Sequence, residues 1–347
     1  MHCRFLALPS QATVFPHNNI EGSSRTGMRA HHHCLLWLVI VVTSSGCNRS
    51  TSREAVLRNL PVRDSSPKVI AGFQPWFGDP NHIKIGYTSD DPGVIRRQIK
   101  EAKDLGIHAF AVDWYGQRHP FLDRTYALMQ KIASEDKFHV ALMYDETEED
   151  NGHATEDALE ALDIAYKKYI GPGAVGRDAY LLYEGRPVIF VFPKRGNTDW
   201  NHVRQMVSRW ESPPILLYKD DPPPQYGAAF DGRYAWVHPG PKGWAPDGSH
   251  WGGEYLRNFY NKMQSKYPNQ IAVGTIWPGF DDTRASWSLN RHIDRRCGKT
   301  LEDTLHLFAE HDDPAHPMPF LLIATWNDYE EGTAIENGPS RCSAPKS

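Results

Sequence analysis

From Lys68 onward the chain repeats one unit, a short apolar run followed by a segment of helical periodicity, until eight apolar runs have passed. The runs are "KVIAGFQPW", "HAFAVDWYG", "HVALMYDE", "PVIFVFP", "PILLYKD", "RYAWVHP", "IAVGTIWPGF" and "FLLIATWND". Strands that alternate with helices pair in parallel, because each crossover returns the chain to start the next strand from the same end. The intervening "DPGVIRRQIKEAKDLG" shows the helical half most clearly. Asp91 suits the N-cap, Pro92 the first turn and Gly106 the stop, while Val94, Ile95, Ile99, Ala102 and Leu105 fall on one face. Eight such repeats without a second compositional zone predict a single-domain (β/α)8 TIM barrel over residues 68–347, with an open doubly wound sheet as the alternative. Two irregularities stand out. The link "PPPQYGAAFDG" after the fifth run has no helical pattern, and the eighteen residues after "TWNDY" are rich in Gly, Pro and Ser. The last outer helix is therefore expected to be missing or replaced.

Residues 1–47 read as a leader. "CLLWLVIVV" (Cys34–Val42) is too short to span a bilayer and has the length of a signal-peptide apolar core, and Met28 fits as the true start. "TSSGC" places Cys47 where a bacterial lipoprotein signal would be cut and acylated, although Ser44 stands where such signals usually carry Leu. A plain secretory signal and an uncleaved anchor are the alternatives. Residues 48–67 are a polar tether. The expected location is the periplasm or cell surface, with the membrane contacted through the lipid. Cys297 and Cys342 remain as thiols that either pair or stay free.

A formal charge of −4, with acids and bases interspersed, leaves no footprint for nucleic acid. Eleven Trp, fifteen Tyr and fourteen Phe supply faces on which sugar rings stack, beyond those a core needs. The sequence has no H-E-x-x-H, Gly-x-Ser-x-Gly or phosphate-loop pattern, which lowers the standing of zinc peptidase, serine hydrolase and nucleotide enzyme. No cofactor or metal is expected.

Function in a (β/α)8 barrel gathers at the C-terminal ends of the strands. Those ends carry Trp76; Asp113, Trp114 and Tyr115; Tyr144, Asp145 and Glu146; Lys219 and Asp220; His238; and Trp277 running into "WPGFDDT" with Asp282. The eighth ends in "TWNDYEEGTAIE", where Trp326 and Asn327 precede four carboxylates within nine positions. Carboxyls buried together raise one another's pKa, so that one stays protonated while its neighbour ionises. Glycosidic cleavage asks for such a pair. Asp328 and Glu331 are spaced so that one turn of backbone aims both inward, with Glu330 turned elsewhere. The bland reading is a solvated loop with Thr, Asn and Gly as turn residues, and for Asp113, Asp145, Asp282 and His238 it is a cap or loop role.

"GFQPWFG", "DPGVIRRQIKEAKDLGIHAFAVDWYG", "PGFDDT" and "TWNDYEEGTAIE", in this order, resemble glycoside hydrolase family 99 and its family 71/99-like relatives over about Val69 to Glu336. The resemblance implies a (β/α)8 endo-α-mannosidase that retains configuration without a metal. It places Asp328 as the base that activates the substrate's own 2-hydroxyl, and Glu331 as the acid that protonates the leaving oxygen and later activates water. Trp76, Asp113, Trp114, Tyr115, Tyr144, Glu146, His238, Trp277, Asp282, Trp326 and Asn327 are the expected glycan contacts. The chain departs from the family motif W-N-E-W-H-E-G-T-x-I-E at Asp328, Tyr329 and Glu330, and lacks the last helix. W-N-D-Y also occurs in the family 71 α-1,3-glucanases. The readings are thus a lipid-anchored α-glycosidase acting on an oligo- or polysaccharide, a non-catalytic glycan-binding lipoprotein, and a part in glycan assembly.

Overall fold

The computed structural model describes residues 67–147, 152–195 and 197–336. The leader, Cys47, Cys342 and the tether as far as Ser66 lie outside the described residues. Eight strands form the barrel: β1 (Lys68–Phe73), β2 (Ala109–Trp114), β3 (His139–Asp145), β4 (Arg186–Phe192), β5 (Ile215–Lys219), β6 (Gly232–Tyr234), β7 (Ile271–Ile276) and β8 (Phe320–Ile323). Every neighbouring pair is parallel. β8 returns to β1 with Lys68 opposite Phe320 and Ala71 opposite Ile323, so the sheet is closed.

Strand alternation sorts the side chains into two layers. Ile70, Ala111, Met143, Phe190, Leu217, Tyr234 and Leu322 fill the barrel interior. Their strand neighbours Phe73, Val112, Leu142, Val191, Leu216 and Ile323 face outward into the layer beneath the helices. Six α-helices cover that layer among the described residues: α1 (Pro92–Asp104), α2 (Pro120–Asp136), α3 (Ala154–Ala165), α4 (Trp200–Val207), α5 (Gly253–Lys266) and α6 (Lys299–His311). Asp91 caps α1 by accepting from Gly93 N (2.7 Å) and Val94 N (3.2 Å). The link after β5 holds only a 3₁₀ turn, Pro224–Ala229, and no helix follows β8 as far as Glu336. No helix among the described residues is long and apolar enough to cross a membrane.

The strands β6 and β8 are shorter than their apolar runs. Beyond Ile323 the chain leaves the ladder and crosses to β1, where Trp326 N donates to Gly72 O (2.5 Å). Asn327 then fastens the seam, its Oδ1 accepting from Gln74 N (2.8 Å) and its Nδ2 donating to Gln74 O (2.9 Å). Gly72 permits this approach, because a Cβ there would lie 2.2 Å from Ala324 O. Gly72→Ala should therefore cost about 1–3 kcal/mol through forced separation of the two strands. Thermal denaturation checks it: a melting temperature several degrees lower is expected, and an unchanged one would contradict the seam's role.

Candidate active site

The strand alternation continues past the ladder ends and decides what reaches the barrel mouth. Counting by twos along the interior face leads to Gln74, Asp113, Asp145, Phe192, Lys219 and Trp236, all of which line one cavity of about 1000 Å³. That is the upper range of small-molecule sites and has room for several sugar units. The loops add His82, Arg118, Lys194, Trp287 and Arg291, and the segment after β8 adds Asp328 and Glu331.

Local geometry divides the four carboxylates of "TWNDYEEGTAIE" into two pairs. Asp328 is buried, and its Oδ1 accepts from Glu330 N (3.0 Å) and Glu331 N (2.8 Å), a short-side-chain turn that fixes the carboxylate. The same turn carries Glu331, partly buried, whose Oε1 accepts from Trp287 Nε1 (3.0 Å). Glu330 points away from the cavity, pairing with His82 Nδ1 (2.8 Å) and accepting from Ile83 N (3.1 Å). Glu336 ties the loop down: Gln98 Nε2 (2.8 Å), Tyr87 OH (2.7 Å) and Tyr329 OH (2.8 Å) all donate to it.

Of the residues singled out in the sequence, Asp328, Glu331, Trp76, Asp113, Tyr115, Glu146 and His238 line the cavity. Glu146 has both oxygens engaged, with Trp200 Nε1 (2.9 Å) and Lys194 N (3.0 Å). His238 packs on Tyr255 at 4.7 Å between ring centroids, and its Nδ1 accepts from Gly240 N (3.0 Å). Six others lie outside the cavity. Trp114 and Tyr144 occupy the outward parity of their strands, Trp114 donating to Asp123 Oδ1 (3.2 Å) and Tyr144 packing on Trp114 and Trp200. Trp277 donates to Trp251 O (3.1 Å), Trp326 packs on Phe110, and Asn327 is the seam clamp described above. Asp282 is fully buried, and its oxygens are taken up within its own loop.

Lysines face the carboxylates. Lys194 Nζ stands 3.0 Å from Asp145 Oδ2, and Lys219 Nζ lies 3.7 Å from the centre of the Phe192 ring. Burial lowers the Lys219 pKa. Burial, followed by the neighbouring Asp145 charge, drives Asp113 well above the ordinary carboxylate range. Burial likewise pushes Asp145 to about 6 against the pull of Lys194. Asp328 rises through burial and then the charge of Glu331, and Glu331 rises through burial although the Trp287 hydrogen bond opposes it. Among the described residues no three His, Cys, Asp or Glu side chains are arranged to hold a metal ion.

Among the described residues, four polar atoms on the cavity walls are buried without a hydrogen-bond partner: Gln74 Oε1, Asp113 Oδ1, Asp145 Oδ1 and Trp76 Nε1. Three acceptors and one donor left open beside aromatic faces suit a ligand dense in hydroxyl groups. Gln74, Phe192 and Trp236 could have been found by counting strand parity, which also carries the strand-end Asp145 and Lys219 into the cavity. Lys194, His82, Trp287 and Arg291 come from loops and leave no periodic signal.

The four raised carboxyls carry a stability consequence. Each ionises less readily in the fold than in the unfolded chain, so the stability they contribute is complete below their ordinary values, near 4, and is lost as pH rises through their folded values, about 6 for Asp145. Asp113→Asn removes one such cost. At pH 7–8 the variant should melt a few degrees above the native protein, with the gap closing towards pH 4; a gap that is constant with pH would contradict the burial of that charge.

No protein-family profile matches the sequence, and no curated protein matches it. Solved structures match in fold. A family 99 endo-α-mannosidase from Bacteroides thetaiotaomicron, determined with BIS-TRIS-propane, superimposes with a TM-score of 0.63 at 19% identity, over 81% of this chain and 90% of that one. A second structure of the B. thetaiotaomicron GH99 endo-α-mannosidase gives 0.60 at 16% identity, over 80% of this chain and 89% of that one. A chain described as a glycoside hydrolase-like protein gives 0.56 at 14% identity, over 80% and 89%. The chain thus has the glycoside hydrolase fold of the family 99 endo-α-mannosidases, the family its sequence motifs resemble.

Proposed function

We propose that this protein is a glycoside hydrolase that cleaves an α-linked glycan of mannan or mannoside type with retention of configuration. The observation that carries this reading is the turn that presents Asp328 and Glu331 together to a cavity with unpaired hydrogen-bonding atoms. Asp328 lies deep, with one oxygen fixed by two backbone N–H groups, so its other oxygen is suited to take a proton from a hydroxyl held in one place. That hydroxyl is the substrate's own 2-hydroxyl, whose oxygen attacks the anomeric carbon to give a 1,2-anhydro sugar. Glu331 is only partly buried, so it can give its proton to the leaving oxygen and afterwards activate water arriving from solvent. Repulsion across the turn separates the two ionisations, which is what an acid and a base side by side require. The aromatic walls, Trp76, Tyr115, Trp236 and Trp287, supply stacking faces for sugar rings.

An exported protein acylated at Cys47 would meet such a polymer at the cell surface, and the leader sequence supports that placement. One observation favours a second reading, glycan binding without turnover. Asp328 is about 1.5 Å shorter than the Glu of the family motif, and Oδ1 is already committed to its own turn.

The test is product analysis of the purified protein on α-mannan and α-1,3-glucan panels. Released oligosaccharides are expected, with Glu331→Gln and Asp328→Asn each slowing release on the order of 10²–10⁴-fold. Binding of a panel member with equal affinity by native protein and Glu331→Gln, without cleavage by either, would overturn the hydrolase in favour of the binding protein.

A further inference from the structure

The loop after β7 contains a buried carboxylate near the cavity that does not face it. Phe280–Asp281 and His292–Ile293 pair as a two-residue antiparallel stem, so residues 282–291 form the head of a hairpin. Asp282 sits in that head with no exposed surface. It accepts from Ser288 Oγ (3.1 Å), Leu289 N (3.1 Å), Arg291 N (2.8 Å) and Arg291 Nε (2.6 Å). Although burial opposes ionisation, the Arg291 and backbone donors hold the Asp282 carboxyl below the ordinary range, so it stays an anion. The stem is also tied to the turn after β8, since Asp281 N donates to Glu331 O (2.8 Å). Between these anchors the head projects Trp287 over the barrel rim. Its ring meets Trp76 edge-on (6.0 Å, 78°) and His82 edge-on (6.1 Å, 73°), while Trp76 and His82 stack on each other (4.6 Å, 6°).

We propose that Trp287 is a positioning residue for Glu331: the hairpin, locked from within by Asp282, holds the indole N–H against Glu331 Oε1 and leaves Oε2 turned to the substrate. This rests on the hydrolase reading for the use of Oε2, but not for the hydrogen bond itself. A partly exposed glutamate on a loop has three rotatable bonds, and fixing it in advance lowers the ordering cost of each proton transfer. The hydrogen bond acts on the anion. The indole donates to the carboxylate, which favours ionisation and offsets part of the rise that burial imposes. The other charges that face Glu331 are Asp328 on its own turn, Arg291 and Asp282 on the hairpin, Lys194 after β4 and Lys219 on β5. All five remain in Trp287→Phe, and the smaller ring would admit water and lower the Glu331 midpoint, so an upward shift in that variant reports loss of the indole N–H.

The experiment is NMR titration of the full protein labelled with ¹⁵N in tryptophan and ¹³C in the glutamate carboxyl, assigned with Trp287→Phe and Glu331→Gln. The Trp287 indole signal should move with pH along the Glu331 titration curve in the native protein and stop doing so in Glu331→Gln. In Trp287→Phe the Glu331 midpoint should shift upward. On any glycan the native protein cleaves, kcat should fall on the order of ten- to a hundredfold, with the alkaline limb of the pH profile moved upward as well. An indole signal indifferent to Glu331, or an unchanged Glu331 midpoint in Trp287→Phe, would overturn the proposal. Absence of cleavage by the native protein would sink the hydrolase reading and leave the titration to decide the role of Trp287, so the two failures are separable.

Discussion

Closure of the barrel between its first and last strands is the constraint from which the site follows. The Asn327 amide reads both backbone groups of Gln74, and Trp326 N reaches Gly72 O across the same seam. Those bonds end the β8 ladder at Ile323 and swing the next residues over the mouth. Asp328 arrives there as part of a turn whose shape it sets itself, by accepting two N–H groups of that turn. The turn is held from behind by Glu330 on His82 and by Glu336 on Tyr87, Gln98 and Tyr329. A strand ends in so much negative charge because two of its carboxylates build the platform on which the other two stand.

The platform places charge where water is scarce. Asp113, Asp145, Asp328 and Glu331 all ionise less readily there than in solution, and Lys194 and Lys219 relieve only part of that cost. A fold gains nothing in stability from such an arrangement. Asp145 is pushed up to about 6, and these carboxyls stand beside hydrogen-bonding atoms that no described residue satisfies. The same logic separates Asp282 from its neighbours, since its hydrogen bonds are complete and its pKa is lowered.

The barrel was legible in the sequence because its signal is periodic. Eight apolar runs, the Asp91 cap and the absent helix after the fifth run all reappear in the structure. Within the site, legibility followed parity. Asp113 and Trp114 both looked like strand-end contacts, yet adjacent strand residues face opposite sides, so only Asp113 reaches the cavity. Asn327 and Trp326 carried no mark of a seam role, because their partners are some 250 positions away along the chain. Asp282 read as a possible contact for a related reason: four donors from its own loop are invisible without the loop's shape. Trp287 had no periodic context at all, and only the hairpin stem brings it to Glu331.

In the proposed hydrolase, Asp328 and Glu331 address one glycosidic linkage from a single turn. A crystal structure of Glu331→Gln holding an uncleaved α-linked oligosaccharide tests it most directly. The glycosidic oxygen should lie within about 2.6–3.2 Å of the amide at position 331, with the 2-hydroxyl of the sugar on its non-reducing side at similar reach of Asp328 Oδ2. A glycan bound in the cavity with no linkage between these two side chains would contradict the claim.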